Sequence, residues 1–135
     1  MSNDVEAIMA TIVSSTLSSF IKCGPIIWVK GTHGLGIGGR DLSMMEVATG
    51  PDGTIVGVDL SGFLCRVANR TLSAEKRDAV LHRLVHELLV SILEVTGKRY
   101  EFVGKFNDEA DWGQILAVMK HLQSRIFRNL YGGRA

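Results

Sequence analysis

Glycine divides this chain. Ten of its fifteen glycines fall between Gly24 and Gly62, and the segments on either side are glycine-poor. A glycine inside a helix costs roughly 1 kcal/mol relative to alanine. Long helices are therefore expected in the flanks, and strands joined by turns in the middle. The 135 residues are one domain's worth of chain. No internal repeat or low-complexity linker interrupts them. We therefore expect a single domain spanning residues 1–135.

The first helix is expected from Asn3, which with Glu6 makes a capping-box-like start. Val5, Ile8, Met9, Ile12, Val13, Leu17, Phe20 and Ile21 then recur at helical period. Lys22 and Gly24 close it. Pro25 to Lys30 reads as a strand entered through proline. Met44 to Thr49 and Thr54 to Leu60 read as a hairpin about Gly50-Pro51-Asp52-Gly53, and Phe63 to Ala68 as a further strand. A second helix should start after Ser73, present Leu81, Leu84, Val85, Leu88, Leu89 and Ile92, and end at Gly97. Arg99 to Phe106 alternates as a strand does. A third helix is expected from Asp108 to Leu130, with Gly113 a weak point. The expected fold is α+β. It has a mainly antiparallel sheet of four to six strands, an N-terminal helix, a long central helix and a C-terminal helix.

Fifteen basic and fourteen acidic residues leave a formal net charge of +1. That balance draws the chain to no polyanion, anionic membrane or acidic substrate as a whole. Cys23 and Cys65 are too few for a disulfide framework and read as free thiols in a reducing compartment. No Lys or Arg precedes Lys22, so neither a secretory nor a mitochondrial leader is expected. The uncharged run Ala7 to Ile21 is too short for a bilayer. The expected location is the cytoplasm.

A solvated helix face normally carries Lys and Glu. The face opposite the apolar stripe of the first helix instead carries Ala7, Ala10, Thr11, Ser14, Ser15, Ser18 and Ser19. Small side chains permit close approach, so Ala7, Thr11, Ser14, Ser15 and Ser18 are the expected interface of a homodimer.

Gly31-Thr32-His33-Gly34-Leu35-Gly36-Ile37-Gly38-Gly39 contains G-x-G-x-x-G at Gly34, Gly36 and Gly39. Such loops let a backbone approach a phosphate. Asp59, twenty residues after Gly39, stands where a dinucleotide fold places its ribose-binding acid. Against that reading, the helix after the glycines would run only from Arg40 to Thr49 before Gly50-Pro51 stops it. Val56-Gly57-Val58-Asp59-Leu60-Ser61 also resembles the second strand of S-adenosylmethionine-dependent methyltransferases, but Lys30 or His33 stands where their first strand ends in an acid. His33 to Gly39 further resembles the glycine hairpin of the tautomerase superfamily. Arg70 to Arg77 and Asp108 to Trp112 resemble its second βαβ half. That resemblance implies a carboxylate-binding role for Arg70. The family's catalytic group is an N-terminal proline on a first strand. This chain begins Met1-Ser2 and enters a helix, so the proline chemistry does not carry over.

His82 and His86 have the spacing of two metal ligands on one helix, but no second spaced pair accompanies them. Asp78 and Arg83-Glu87 explain the same flank as ordinary helix contacts. Cys65 reads as a buried thiol in a strand. Lys120, Arg125, Arg128 and Arg134 form an acid-free basic end that could meet phosphates, without a basic run or aromatic ladder. No catalytic set, metal site or cofactor motif is complete. The expectation is a non-enzymatic homodimeric interaction module, an assembly, adaptor or regulatory factor. The alternative is a small-molecule, nucleotide or tautomerase-like site using Gly34, Gly36, Gly39, Asp59 and Arg70. A weaker alternative is nucleic-acid contact through Lys120, Arg125 and Arg128.

Overall fold

The computed structural model describes residues 2–131, and among these it forms six α-helices and one small sheet. Helix α1 covers Ser2–Cys23 and passes through a 3-10 turn, Gly24–Ile27, into an extended stretch. Strand β1 is Gly34–Gly36, β2 is Asp41–Leu42, and a second 3-10 turn, Ile37–Gly39, joins them. Helix α2 (Met44–Thr49) leads to β3 (Ile55–Val58). Four helices follow: α3 (Leu60–Thr71), α4 (Ala74–Thr96), α5 (Val103–Glu109) and α6 (Trp112–Tyr131). The sheet order is β2-β1-β3, antiparallel throughout, with Gly34 opposite both Leu42 and Val58.

The long flanking helices form as their periodicity requires. Met9, Ile12, Val13 and Phe20 of α1 are buried against α6, α3 and α4. Helix α4 contributes Val80, Leu84, Leu88 and Ile92, one residue per turn. Helix α6 contributes Ile115, Met119, Leu122 and Ile126. These residues belong to one contiguous apolar cluster. Each fully buried Leu or Ile contributes about 1.5–3 kcal/mol. Phe20 also meets Phe63 and Trp112 edge-on, at centroid distances of 5.2 and 5.4 Å. By length and composition, Val5–Ile27 is long and apolar enough to cross a bilayer once Glu6 and Lys22 are counted inside it. Here Met9, Ile12, Val13, Leu17 and Phe20 of this stretch are in the helical core, and Glu6 is buried and paired with Arg83. The Asn3 cap lies outside the residues whose side chains are described.

The expected sheet of four to six strands does not form. Its three strands are short, and the remaining expected strands are helices or loops. Pro25 to Lys30 is a 3-10 turn followed by a single bridge from Trp28 to Val58. Met44 to Thr49 is α2, because Ser43 and Glu46 close a capping box in which the Ser43 hydroxyl accepts from Glu46 N and Glu46 Oε1 accepts from Ser43 N. Gly50 to Gly53 therefore joins a helix to a strand rather than two strands. Buried Arg66 holds that connection by donating to the carbonyls of Val47 and Gly50 at 2.8 and 2.7 Å.

Phe63 to Ala68 is part of α3. Asp59 caps this helix through a 2.6 Å bond from Gly62 N to its Oδ1. Burial nevertheless alternates along α3, because the helix is packed on several sides by α1, α2, α4 and α5. Leu60, Leu64 and Ala68 make one buried row, and Gly62 and Arg66 another. Together they imitate the period of a strand. Residues 99–102 form no strand, and the segment after them coils into α5. The third helix is broken between α5 and α6, where Asp111 Oδ1 accepts from Gln114 N and Gln114 Oε1 accepts from Asp111 N.

The sheet is built from glycine where α2 crosses it. A Cβ added at Gly34 would stand 2.5 Å from Val47 Cγ2 and 3.0 Å from the Gly57 carbonyl. Gly34 is thus a site of close approach between a strand and a helix.

Candidate functional site

The loop before β1 and the first turn of α3 meet in a hydrogen-bonded junction. Asp59 N donates to the His33 carbonyl at 3.0 Å. A Cβ at Gly62 would lie 2.5 Å from that same carbonyl, so only glycine lets the helix start this close to the loop. Asn107, fully buried on α5, ties the junction together. Its Oδ1 accepts from Trp28 Nε1 at 2.7 Å and from Leu60 N at 3.0 Å, and its Nδ2 donates to the Val29 carbonyl at 2.9 Å. On the loop side, Gly31 N donates to Asp108 Oδ1 at 2.7 Å.

This framework sets His33 against a buried acid. His33 Nδ1 lies 3.2 Å from Asp59 Oδ2, and Asp59 is only 3% exposed. An ionised carboxylate only accepts, so facing it Nδ1 carries the hydrogen and donates, which leaves Nε2 as the ring nitrogen open to a ligand. Burial pushes the Asp59 carboxyl above its ordinary range, against the opposing effects of the Gly62 N–H and His33.

His33 borders a cavity of about 260 Å³ between α3, α4 and the 101–104 segment. Its walls are mainly apolar, including Leu64, Leu81, Leu84, Leu88 and Val103. Val85, and Phe102 at 71% exposure, stand at its edge. The polar lining consists of His33, Ser61, Cys65 and Glu101. Ser61 and Cys65 are four apart on α3 and so share one face of it. The Cys65 thiol is pushed up by burial and then by the negative charge of Asp59. A second and more polar hollow, also about 260 Å³, shares His33 and Gly104 with the first and is bordered by Thr32, Asp59 and Asp108.

The residues grouped from the sequence are only partly brought together. Gly34 and Gly36 sit within the sheet, and Gly39 is in the 3-10 turn that leads to β2, with no helix opening at the glycines. Asp59 is at the junction, as cap of α3 and partner of His33. Arg70 lies elsewhere, exposed and paired with Asp52. On α1, Ala7, Thr11, Ser15 and Ser18 are exposed, whereas Ser14 is half-buried and its hydroxyl accepts from Gln123 Nε2 at 2.9 Å. Lys120 and Arg128 are exposed on α6. Arg125 is tied down by Glu87 at 2.6 Å and Glu94 at 3.4 Å, and Arg134 lies outside the described residues. His82 and His86 are exposed on α4, and no group of three or more His, Cys, Asp or Glu among the described residues is arranged to hold a metal ion.

Sequence reasoning missed the cavity, Asn107 and the shared helix face of Ser61 and Cys65. The signal for the last was the Asp59 cap. Once Asp59 is taken as the start of a helix, Ser61 and Cys65 fall on one face of it. The chain matches no protein-family model, and neither a curated protein nor a solved structure is significantly similar to it.

Proposed function

We propose that this protein binds a compact, largely apolar molecule in the cavity between α3 and α4, with the ligand's polar group turned toward His33. The observation that carries this reading is an apolar wall interrupted by a histidine that a buried carboxylate orients. Binding pockets commonly combine such walls with a few fixed polar groups. An apolar cavity of about 150 Å³ accommodates benzene, so this one has room for a short chain or a substituted ring. Among the described residues no lysine or arginine lines it. That favours neutral ligands over nucleotides or carboxylates. Neutral amphiphiles such as hexanol should raise the melting temperature in proportion to occupancy. Val85→Trp, at the partly exposed edge, should abolish that rise without lowering the melting temperature of the free protein. If no neutral amphiphile stabilises the wild type, the reading fails.

A second reading, pairing of two copies through α1, is favoured by one observation. The exposed line of Ala7, Thr11, Ser15 and Ser18 carries no charge before Lys22, and Ile21, three positions after Ser18, is 55% exposed. Exposed apolar side chains beside small ones suit a self-complementary contact. A cytoplasmic location accompanies both readings, supported by two free thiols and by an N-terminal helix whose buried Glu6 is paired within the fold.

A further inference from the structure

We propose that Cys65 accepts an acyl group from a neutral thioester or ester whose chain occupies the α3–α4 cavity, with His33, held by Asp59, taking the thiol proton. This inference rests on the ligand pocket described above. The cavity places a nucleophile, a base and an apolar wall on one surface: Cys65, His33, and leucines including Leu64 and Leu84. Asp59 engages Nδ1 of His33 at 3.2 Å, so the other ring nitrogen is the one left to accept a proton. His33 and Cys65 both line this one cavity, and Asp59 stands behind His33. A thiol held in its protonated form attacks a carbonyl only when a base removes its proton as the bond forms. Among the residues lining the cavity, His33 and Glu101 can accept a proton, and His33 is the one that a second acid, Asp59, orients. The other cysteine, Cys23, is exposed and does not line this cavity.

The step balances without an oxidant or reductant. Cys65 Sγ bonds to the acyl carbon, and its proton passes to His33 Nε2. The bond from the acyl carbon to the departing sulfur or oxygen breaks. His33 then returns the proton to the departing thiolate or alkoxide. The products are S-acyl Cys65 and a free thiol or alcohol. The new acyl chain remains against the apolar wall.

The test uses the whole chain and S-hexanoyl-N-acetylcysteamine, followed by intact mass and peptide mapping. Cys65 should gain one hydroxylamine-labile hexanoyl group at least about tenfold faster than Cys23, because a positioned reactant outruns one reached by collision. His33→Asn should remove that advantage while leaving the Cys23 rate unchanged. Equal or faster labelling of Cys23 in the wild type would overturn the proposal, and so would an unchanged Cys65 rate in His33→Asn. Should His33→Asn fail to fold, the comparison of Cys65 with Cys23 in the wild type still decides. Stabilisation by hexanol without acylation defeats this inference and leaves the pocket standing. Failure of both defeats the pocket as well.

Discussion

Asn107 shows how much one side chain can carry. Its amide joins the Trp28–Val29 stretch, the start of α3 and its own helix α5 through three bonds of 2.7 to 3.0 Å. Asn107→Ala strands the indole N–H of Trp28 and the backbone N–H of Leu60 in a buried setting. An unsatisfied buried donor costs about 1–3 kcal/mol, so the variant should lose ~3 kcal/mol of stability in urea titration. A loss below ~1 kcal/mol would mean that water or a shifted loop replaces the amide. In the sequence, Asn107 stands beside Asp108 and Glu109 and reads as one more polar residue at a helix start. Its three partners lie 47 to 79 positions away, so no local pattern marks it. Cys65 was seen in the sequence as a thiol, but its cavity is assembled by residues of α4 and the 101–104 segment, which only the fold brings beside α3.

At the scale of elements, local capping overrode apparent alternation. Ser43 with Glu46, and Asp59 with Gly62, are short-range helix-start signals, and both operate in the structure. The alternation of Phe63 to Ala68 misled because period two appears whenever a helix is buried on more than one side. The glycines also divide by use. Gly34→Ala drives a methyl group into Val47 and the Gly57 carbonyl, so α2 must lift from the sheet. We expect a loss of about 1–3 kcal/mol, as for other overpacked sites. Gly104→Ala is the control: a methyl group there, in α5, meets nothing within 4 Å, and stability should rise by up to ~1 kcal/mol as a helical glycine is replaced. Equal denaturation midpoints for the two variants would show that the close approach at Gly34 is not tight in solution.

At the scale of the whole molecule, α1 has two faces with different fates. Its apolar stripe from Met9 to Phe20 packs into the core, against α6, α3 and α4, while Ile21 is exposed. Of its small-residue face, Ala7, Thr11, Ser15 and Ser18 are exposed, whereas Ala10 is buried, Ser19 is half-buried and Ser14 is engaged by Gln123. Ser15→Glu with Ser18→Glu should leave the monomer folded, because both positions are exposed. If two copies pair through this face, native mass spectrometry should show the dimer of the wild type reduced to monomer in the variant. A variant that keeps the dimer mass would place the contact elsewhere. The sequence by itself determined the long flanking helices, the buried stripe of α1 and the leucine face of α4, because helical periodicity is written within a single turn or two. It also held the signals for α2 and α3, through caps only three residues long. The tertiary structure alone decided the short three-stranded sheet, the separation of Arg70 from Asp59 and the cavity shared by His33 and Cys65. Each of these depends on contacts between residues distant in the chain, and such contacts are settled by which packed arrangement buries the most apolar surface while leaving the fewest polar groups unpaired.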